Sequence, residues 1–274
     1  MIGKNKVFKG SDNQDMSYFH NFIDNKNPTI IFIHGLGSDY SSWKKQYDFF
    51  FENNYSVAGF DLRGHGKSEM AKDYEYYSLE NSAKDLKKFI DFLDCENNFI
   101  LVGHCLGASI IQLFENKFPN EAKALFILSG THKKVNKLIS KILKYYFKFK
   151  SFRKTIKNNQ INKTHRKQNY QVKISDYDIL RIIYAIRKTS LITYSGTLSH
   201  FFKFNMTNEL QLHTSPMIII SGEKDSILKK EESQFIAEKT KNAKLHILKN
   251  ANHVILNNNW KEINKIILKE LKTL

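Results

Sequence analysis

One cysteine in the chain has neighbours that suit nucleophilic chemistry. Cys105 lies within Leu101–Ser109 (LVGHCLGAS), where an apolar run leads into a Gly-x-Cys-x-Gly box followed by small residues. Between a strand and a helix, such a box holds its central side chain on a sharp, exposed turn. A thiolate there can attack an acyl carbonyl if a base takes the thiol proton and a carboxylate orients that base. The stretch therefore predicts acyl transfer through a covalent thioester; an inert buried thiol is the alternative.

Asp225 and His253 are the candidate partners of this cysteine. They follow strand-like apolar runs at Ile218–Ser221 and Leu245–Leu248. Both are therefore expected at the carboxyl ends of strands, where sites in open α/β sheets lie. Glu223 in the same loop as Asp225 is the competing acid. In isolation His253 would be interpreted as a solvated loop histidine, but the order nucleophile, acid, histidine favours a Cys-His-Asp triad.

The elements that must position these residues can be predicted from the hydrophobic pattern. Apolar runs alternate with helical periodicity, which is typical of βαβ units around a mostly parallel sheet and so indicates an α/β fold. The predicted strands are Thr29–His34, Tyr55–Phe60, Phe99–Val102, Leu125–Leu128, Met217–Ile220 and Leu245–Leu248. The predicted helices are Ser41–Glu52, Ser78–Leu93 with Ser78 as N-cap, Leu106–Phe118 and Trp260–Leu271.

Separate motifs along the chain resemble those of the α/β-hydrolase superfamily and occur in the family's order. They are His34–Gly37 (HGLG), Asp61–Ser68 (DLRGHGKS), Gly103–Gly107 (GHCLG), and Gly222–Asp225 (GEKD) followed by Asn252 and His253. The resemblance implies an α/β-hydrolase fold of the capped lipase, esterase or thioesterase kind. It predicts a core over residues 1–130 and 206–274 and a helical cap or lid over 131–205. Most members carry serine where this chain has cysteine, although dienelactone hydrolases and polyhydroxyalkanoate synthases share the cysteine.

The resemblance also assigns roles to residues of this chain. The predicted nucleophile, acid and base are Cys105, Asp225 and His253. An oxyanion hole needs two backbone donors, and the N–H groups of Leu36 and Leu106 are the candidates. The residues His34, Gly35 and His104 are predicted to contact substrate, with His104 packed beside the turn rather than acting as base. The side chain of His65 is expected to brace the site.

Composition limits the number of domains, the compartment and the cofactors that we expect for this protein. A chain of 274 residues with 41% hydrophobic content suits one domain with an insertion. The N-terminal residues lack a signal-peptide pattern, and no run approaches the roughly 18 apolar residues of a membrane span. The two cysteines, Cys95 and Cys105, are too few for a disulfide framework. Because no signal peptide or membrane span is predicted, we expect a cytoplasmic enzyme. Because no metal-ligand motif is present, we expect it to use no metal or cofactor.

The predicted cap carries most of the excess positive charge. The chain has a formal net charge of +16, and residues 131–175 contain 14 lysines and arginines but no acidic residue. Apolar residues at helical spacing over 135–149 predict a basic amphipathic helix. It could be a lid with solvated lysines, a docking face for an acyl carrier protein or a coenzyme A thioester, or a helix on an anionic membrane surface. Nucleic acid is disfavoured because no binding motif accompanies the aromatic residues.

The sequence therefore predicts an acyl hydrolase that acts on a small-molecule ester or thioester. A thiol nucleophile makes thioesters, lactones and activated esters better candidate substrates than amides. An acyltransferase that uses the same thioester intermediate is one alternative. A non-catalytic protein that keeps the hydrolase fold and binds an anionic partner through its basic cap is the other.

Overall fold

A mostly parallel sheet forms the centre of the molecule, as the strand pattern predicts. A computed structural model describes residues 6–70, 73–95, 97–133, 175–176, 185 and 189–274. Within these residues the strands lie in the order β1-β2-β4-β3-β5-β6-β7-β8, with β2 antiparallel to both of its neighbours and β3 to β8 parallel. The strands are β1 (Lys6–Lys9), β2 (Asp15–Asn21), β3 (Thr29–Ile33), β4 (Val57–Phe60), β5 (Phe99–His104), β6 (Leu125–Leu128), β7 (Met217–Gly222) and β8 (Ala243–Leu248).

Helices cover both faces of the sheet. Residues of α2, α3 and α5 share a hydrophobic core with one face, and residues of α1, α6 and α7 share a second core with the other face. The helices of the described part of the chain are α1 (Lys44–Glu52), α2 (Leu79–Leu93), α3 (Leu106–Lys117), α4 (Leu191–Phe201), α5 (Lys230–Lys239), α6 (Ile255–Asn258) and α7 (Trp260–Leu271).

The central strands are apolar along their whole length because both of their faces are buried. In β3, Ile31 and Ile33 belong to the core on the α2 and α3 side, whereas Ile30 and Phe32 belong to the core on the α1 and α7 side. Successive side chains of a strand point to opposite faces of the sheet, so a strand covered on both sides needs an uninterrupted apolar run. This is the physical basis of the strand predictions.

Several predicted elements coincide with the structure, and others differ at their ends. The strand Leu125–Leu128 and the helix Trp260–Leu271 have the predicted bounds. The N-cap prediction for α2 is confirmed, because the Ser78 side chain accepts a hydrogen bond from the Asn81 N–H. The predicted helix Ser41–Glu52 is divided into a 3₁₀ turn over Tyr40–Trp43 and α1. The Asp39 side chain caps this 3₁₀ turn by accepting from the Ser41 N–H, and α1 begins directly after the turn.

The pattern did not predict the β1–β2 hairpin, α4 or α5. The sequence of β2, DMSYFHN, mixes buried and exposed residues without a clean alternation. In α5 the buried residues are only Ser233 and Ile236, so an apolar stripe is missing from its sequence. Elements that bury few apolar side chains leave a weak periodic signal.

The two ends of the predicted cap lie next to each other beyond β6. Lys133 and Asn205 form an isolated antiparallel bridge, and the Met206 N–H donates to the His132 carbonyl at 2.7 Å. Neighbouring ends are what an insertion between β6 and β7 requires, and the cap bounds 131–205 stay a prediction. The basic helix predicted over 135–149 lies outside the described residues, so the partners predicted from it stay predictions.

The contact between α3 and β3 depends on a glycine. A Cβ atom at Gly107 would lie 2.2 Å from the carbonyl oxygen of Ile33, far inside van der Waals contact. The helix that follows Cys105 can therefore approach the sheet this closely only with glycine at this position. The second glycine of the Gly-x-Cys-x-Gly box is thus required by the packing of α3 against β3.

We expect Gly107→Ala to lower the free energy of unfolding by about 1–3 kcal/mol, because the added methyl group meets backbone that cannot rotate away. Urea unfolding at constant m-value measures the loss. Gly10→Ala is the matched control, since its Cβ would first meet the flexible end of a side chain, Sδ of Met16 at 2.6 Å. Equal losses in the two variants would contradict the close α3–β3 approach.

Candidate active site

Cys105 lies on the turn between β5 and α3 in a conformation that is rare for a residue other than glycine. Its φ is 53° and its ψ is −112°, and its N–H donates to the Leu128 carbonyl at 3.0 Å. Such backbone conformations are costly and persist where surrounding structure enforces them, often at functional sites. The flanking Gly103 is required by the same turn, because a Cβ there would lie 2.5 Å from the backbone of Gly107. The side chain of Cys105 is half-buried.

The side chain of His253 connects Cys105 to Asp225. Its Nδ1 lies 2.8 Å from Oδ2 of Asp225, and its ring is also hydrogen-bonded to Cys105. Because Nδ1 faces the carboxylate, the bond to the sulfur uses the other ring nitrogen, Nε2. His253 is buried, with 4% of its surface exposed. The structure thus brings together the three side chains that the sequence singled out as nucleophile, base and acid.

The acid loop after β7 orients Asp225 and leaves Glu223 aside. Oδ1 of Asp225 accepts from the N–H groups of Ile227 and Leu228 at 3.0 and 2.8 Å, which leaves Oδ2 facing His253. The exposed Glu223 side chain instead accepts from the Asn250 N–H at 3.0 Å. Of the two acids considered from the sequence, Asp225 is therefore the one in contact with the histidine.

The surroundings of His253 favour its protonated form. Burial alone would lower the pKa of His253, but the negative charge of a Cys105 thiolate and the hydrogen bonds to Asp225 and Cys105 raise that pKa to about 10. A pKa raised to about 10 favours the imidazolium form of this ring, which lies next to the sulfur of Cys105. Chemically, the arrangement can hold a nucleophilic sulfur next to a proton donor.

His104 contacts His253 from the elbow side. Its Nε2 donates to the His253 carbonyl at 3.1 Å, and the two rings lie 5.0 Å apart between centroids. The expectation that His104 packs beside the turn agrees with this geometry. Its predicted contact with substrate stays a prediction.

His34 joins the loop after β3 to the loop after β4. Its Nδ1 donates to the Gly35 carbonyl at 2.8 Å, and its Nε2 accepts from the Leu62 N–H at 2.9 Å. The side chain is fully buried, and both ring nitrogens are engaged with backbone. The ring thus braces the two loops against each other, and the substrate contact predicted for His34 stays a prediction.

The predicted oxyanion loop lies against the cysteine turn. A Cβ atom at Gly35 would lie 3.4 Å from Cβ of Cys105, and Gly37 has a positive φ of 73°. Leu36 lies between these glycines and is half-buried, while Leu106 is buried as the first residue of α3. The backbones of both leucines are thus next to Cys105 in the chain or in space, and their role as oxyanion donors stays a prediction.

The Asp61–Ser68 motif is held in place by buried polar contacts. The guanidinium of Arg63 is 2% exposed and pairs with Asp85 of α2 and with Asp12 of the β1–β2 turn. His65 is buried, its Nδ1 donates to the Arg63 carbonyl at 2.9 Å, and its ring lies 5.2 Å from the ring of His34. Burial and the neighbouring His34 lower the pKa of His65 to about 3, so it remains neutral. This agrees with the bracing role expected for His65.

Sequence reasoning missed Asp176, whose carboxylate contacts the backbone of His253. Oδ1 of Asp176 accepts from the His253 N–H at 2.8 Å, and Oδ2 accepts from the N–H and Oγ of Ser226 at 3.0 and 2.6 Å. The side chain belongs to the predicted cap segment and is buried. Its one signal in the sequence is that it is the first acidic residue after the basic stretch 131–175.

Across the described ranges, no group of three or more histidine, cysteine, aspartate or glutamate side chains could hold a metal ion. The same residues include no helix with the length and apolar character needed to cross a membrane.

Comparisons with known proteins agree with this architecture. The chain is 26% identical over 277 residues to Epoxide hydrolase 3 of Xenopus tropicalis, which covers 91% of this chain and 72% of that protein. It is 24% identical over 268 residues to the proline iminopeptidase PfmaB of Pestalotiopsis fici, covering 90% and 91% of the two chains. The crystal structure of a thermophilic esterase from Thermogutta terrifontis superposes with a TM-score of 0.76 at 14% identity, over 99% of each chain.

The family comparison extends over most of the chain. The model of the hydrolase family described as serine aminopeptidase, S33, matches residues 24–259, a span that includes Cys105, Asp225 and His253. The sheet order, the turn at Cys105 and the solved structures with the same fold agree with that match. The chain therefore belongs to the serine aminopeptidase S33 family of hydrolases and has the α/β-hydrolase fold.

Proposed function

We propose that this hydrolase cleaves ester or thioester bonds through a covalent acyl-enzyme, with Cys105 as nucleophile, His253 as acid and base, and Asp225 as the residue that orients His253. The observation that carries the proposal is the contact of one buried histidine with both a cysteine on a strained turn and a carboxylate. These are the geometric requirements of a nucleophile activated by an oriented base.

In the proposed acylation step, the Cys105 thiolate attacks the carbonyl carbon of the substrate and a C–S bond forms. The carbonyl oxygen becomes an oxyanion that accepts from the N–H groups of Leu36 and Leu106. Collapse of this intermediate breaks the bond to the leaving group, and protonated His253 gives its proton to the departing alkoxide or thiolate. The acyl group is then held as a thioester on Cys105.

In the proposed deacylation step, water attacks the thioester and neutral His253 takes its proton. The second tetrahedral intermediate expels the Cys105 thiolate and releases a carboxylic acid. His253 is again the imidazolium, and its charge is balanced by the thiolate and by Asp225. The part of Asp225 is to hold the ring and stabilise its positive charge.

A sulfur nucleophile limits the substrates that suit this site. An amine leaves a tetrahedral intermediate only after it is protonated, so an amide substrate would depend on proton transfer from His253 more strongly than a thioester does. Alkoxide and thiolate leaving groups depart from the intermediate more readily than an amine does, and this favours thioesters, lactones and activated esters as substrates. Peptide bonds, the substrates implied by the family's description, are disfavoured for this chain.

Intact-protein mass spectrometry tests the nucleophile and the acyl group together. We expect p-nitrophenyl esters and acyl thioesters to add one acyl mass to the wild-type protein during turnover, because the thioester is an obligatory intermediate. Cys105→Ala should show neither the adduct nor turnover, whereas Cys105→Ser should keep some esterase activity because a hydroxyl can take the same position. Undiminished turnover by Cys105→Ala would overturn the proposal.

His253→Ala should lower kcat/KM for a p-nitrophenyl ester by about 10²–10⁴-fold, the usual contribution of general acid–base catalysis. The matched control is His246→Ala, since His246 is half-buried in β8 and its Nε2 contacts Glu270 at 3.2 Å. We expect that control to stay within about twofold of the wild type, since removing a polar contact away from the reacting groups leaves catalytic geometry unchanged. Wild-type rates in His253→Ala would exclude it as the base.

The two cysteines provide an internal test of the ion pair, because Cys95 and Cys105 are both half-buried. Alkylation of an unactivated thiol rises roughly tenfold per pH unit below its pKa of about 8.5. If Cys105 forms the proposed ion pair with His253, its alkylation rate should vary little between pH 6 and 8 and exceed the rate at Cys95. Peptide mapping after iodoacetamide treatment measures both rates. Parallel pH profiles at the two cysteines would contradict the ion pair.

A further inference from the structure

We propose that Asp176 is a positioning residue that holds the loops carrying Asp225 and His253 in register. This inference rests on the proposed function, because it assigns Asp176 to the same site. The two oxygens of its carboxylate serve different loops: Oδ1 accepts from the His253 N–H at 2.8 Å, and Oδ2 accepts from the Ser226 N–H and Oγ. One buried side chain from the predicted cap segment therefore joins the two loops of the core.

The loops need such a connection because they leave the sheet at different strands. Asp225 follows β7, and His253 follows β8. Their side-chain bond of 2.8 Å requires the two backbones to keep a fixed separation. Asp176 bonds to the residue next to Asp225 and to His253 itself, so it constrains that separation directly. Displacements of about 1 Å at catalytic groups can cost about 10²-fold in rate.

The acid loop is held by two carboxylates with separate tasks. Three successive N–H groups, those of residues 226, 227 and 228, donate to carboxylate oxygens. The first donates to Asp176, and the next two donate to Asp225. Removing the Asp176 carboxylate would take this acceptor from the Ser226 N–H and from the N–H of buried His253, and an unsatisfied donor in a buried place is unfavourable. Those loops would then shift to find other acceptors.

The expected consequence is a weaker contact between His253 and Cys105. His253 is bound at its carbonyl by His104, at Nδ1 by Asp225 and at its N–H by Asp176. Without the last of these bonds the ring can move away from the sulfur. Weakening the ion pair would make alkylation of Cys105 depend on pH like that of an ordinary thiol, and loss of stability alone would not produce this change.

The test compares Asp176→Ala and Asp176→Asn with a control variant at a contact to the start of the predicted cap segment. Glu232 of α5 accepts from Oγ1 of Thr131 at 3.0 Å, so it joins the start of that segment to the core without contacting Cys105, Asp225 or His253. Glu232→Gln therefore reports what loosening this region does by itself. The measurements are kcat and KM for a p-nitrophenyl ester, the pH profile of Cys105 alkylation and the thermal midpoint of each variant.

We expect Asp176→Ala to lower kcat by about 10–100-fold with KM nearly unchanged and to make the alkylation rate rise with pH between 6 and 8. Asp176→Asn keeps one acceptor oxygen and should fall between the wild type and the alanine variant. Glu232→Gln should leave kcat and the alkylation profile unchanged. A wild-type kcat and profile in Asp176→Ala, or equal changes in Glu232→Gln, would overturn the inference. If the alanine variant does not fold, the isosteric asparagine variant decides by the same criteria.

The alkylation assay separates this inference from the proposed function, because it needs no substrate. If the wild type hydrolyses no ester or thioester but Asp176→Asn changes the profile of Cys105, the positioning role stands and the proposed substrates are wrong. If the wild type is an active hydrolase and neither Asp176 variant changes kcat or the profile, the positioning role is wrong and the proposed function stands.

Discussion

A buried, protonated histidine is the constraint on which the rest of the site depends. A charge removed from water is strongly unfavourable unless opposite charges and hydrogen bonds compensate it. At His253 the compensation comes from Asp225 and Cys105 at the ring, while His104 and Asp176 hold the backbone carbonyl and N–H. These contacts come from separate segments of the chain, so the charged state of one ring depends on the correct assembly of the whole edge of the sheet.

The parallel sheet makes that assembly possible. Strands β5, β7 and β8 run in the same direction, so the residues that follow them meet at one edge. Gly107 lets α3 pack closely against β3, and because Cys105 is the N-cap of α3, the partial positive charge of the helix N-terminus favours an anionic sulfur or oxyanion there. The turn from Gly103 to Gly107 therefore takes part both in core packing and in the electrostatics of the site.

The residue type on the turn after β5 distinguishes this chain from the description of its family. The matched family is described by a serine, and this chain carries Cys105 on the turn after β5. A serine hydroxyl remains neutral until its proton is removed during attack, whereas a thiol beside an imidazolium ionises before substrate arrives. The proposed mechanism thus differs from that of a serine site in that a thiol, not a hydroxyl, lies next to His253. The proposed preference for thioesters and activated esters follows from the same exchange of oxygen for sulfur.

The sequence by itself determined strands β3 to β8, the cysteine turn and the order of the acid and the histidine. Each depends on local pattern: buried strands need continuous apolar runs, and the turn needs glycines at fixed spacing. The resemblance also favoured Asp225 over Glu223 as the acid. Only the tertiary structure engaged both ring nitrogens of His34 with backbone and brought Asp176 to His253. Asp176 reaches a residue 77 positions away. A single polar residue produces no periodic pattern in the sequence, so only the packing of the loops shows what Asp176 binds.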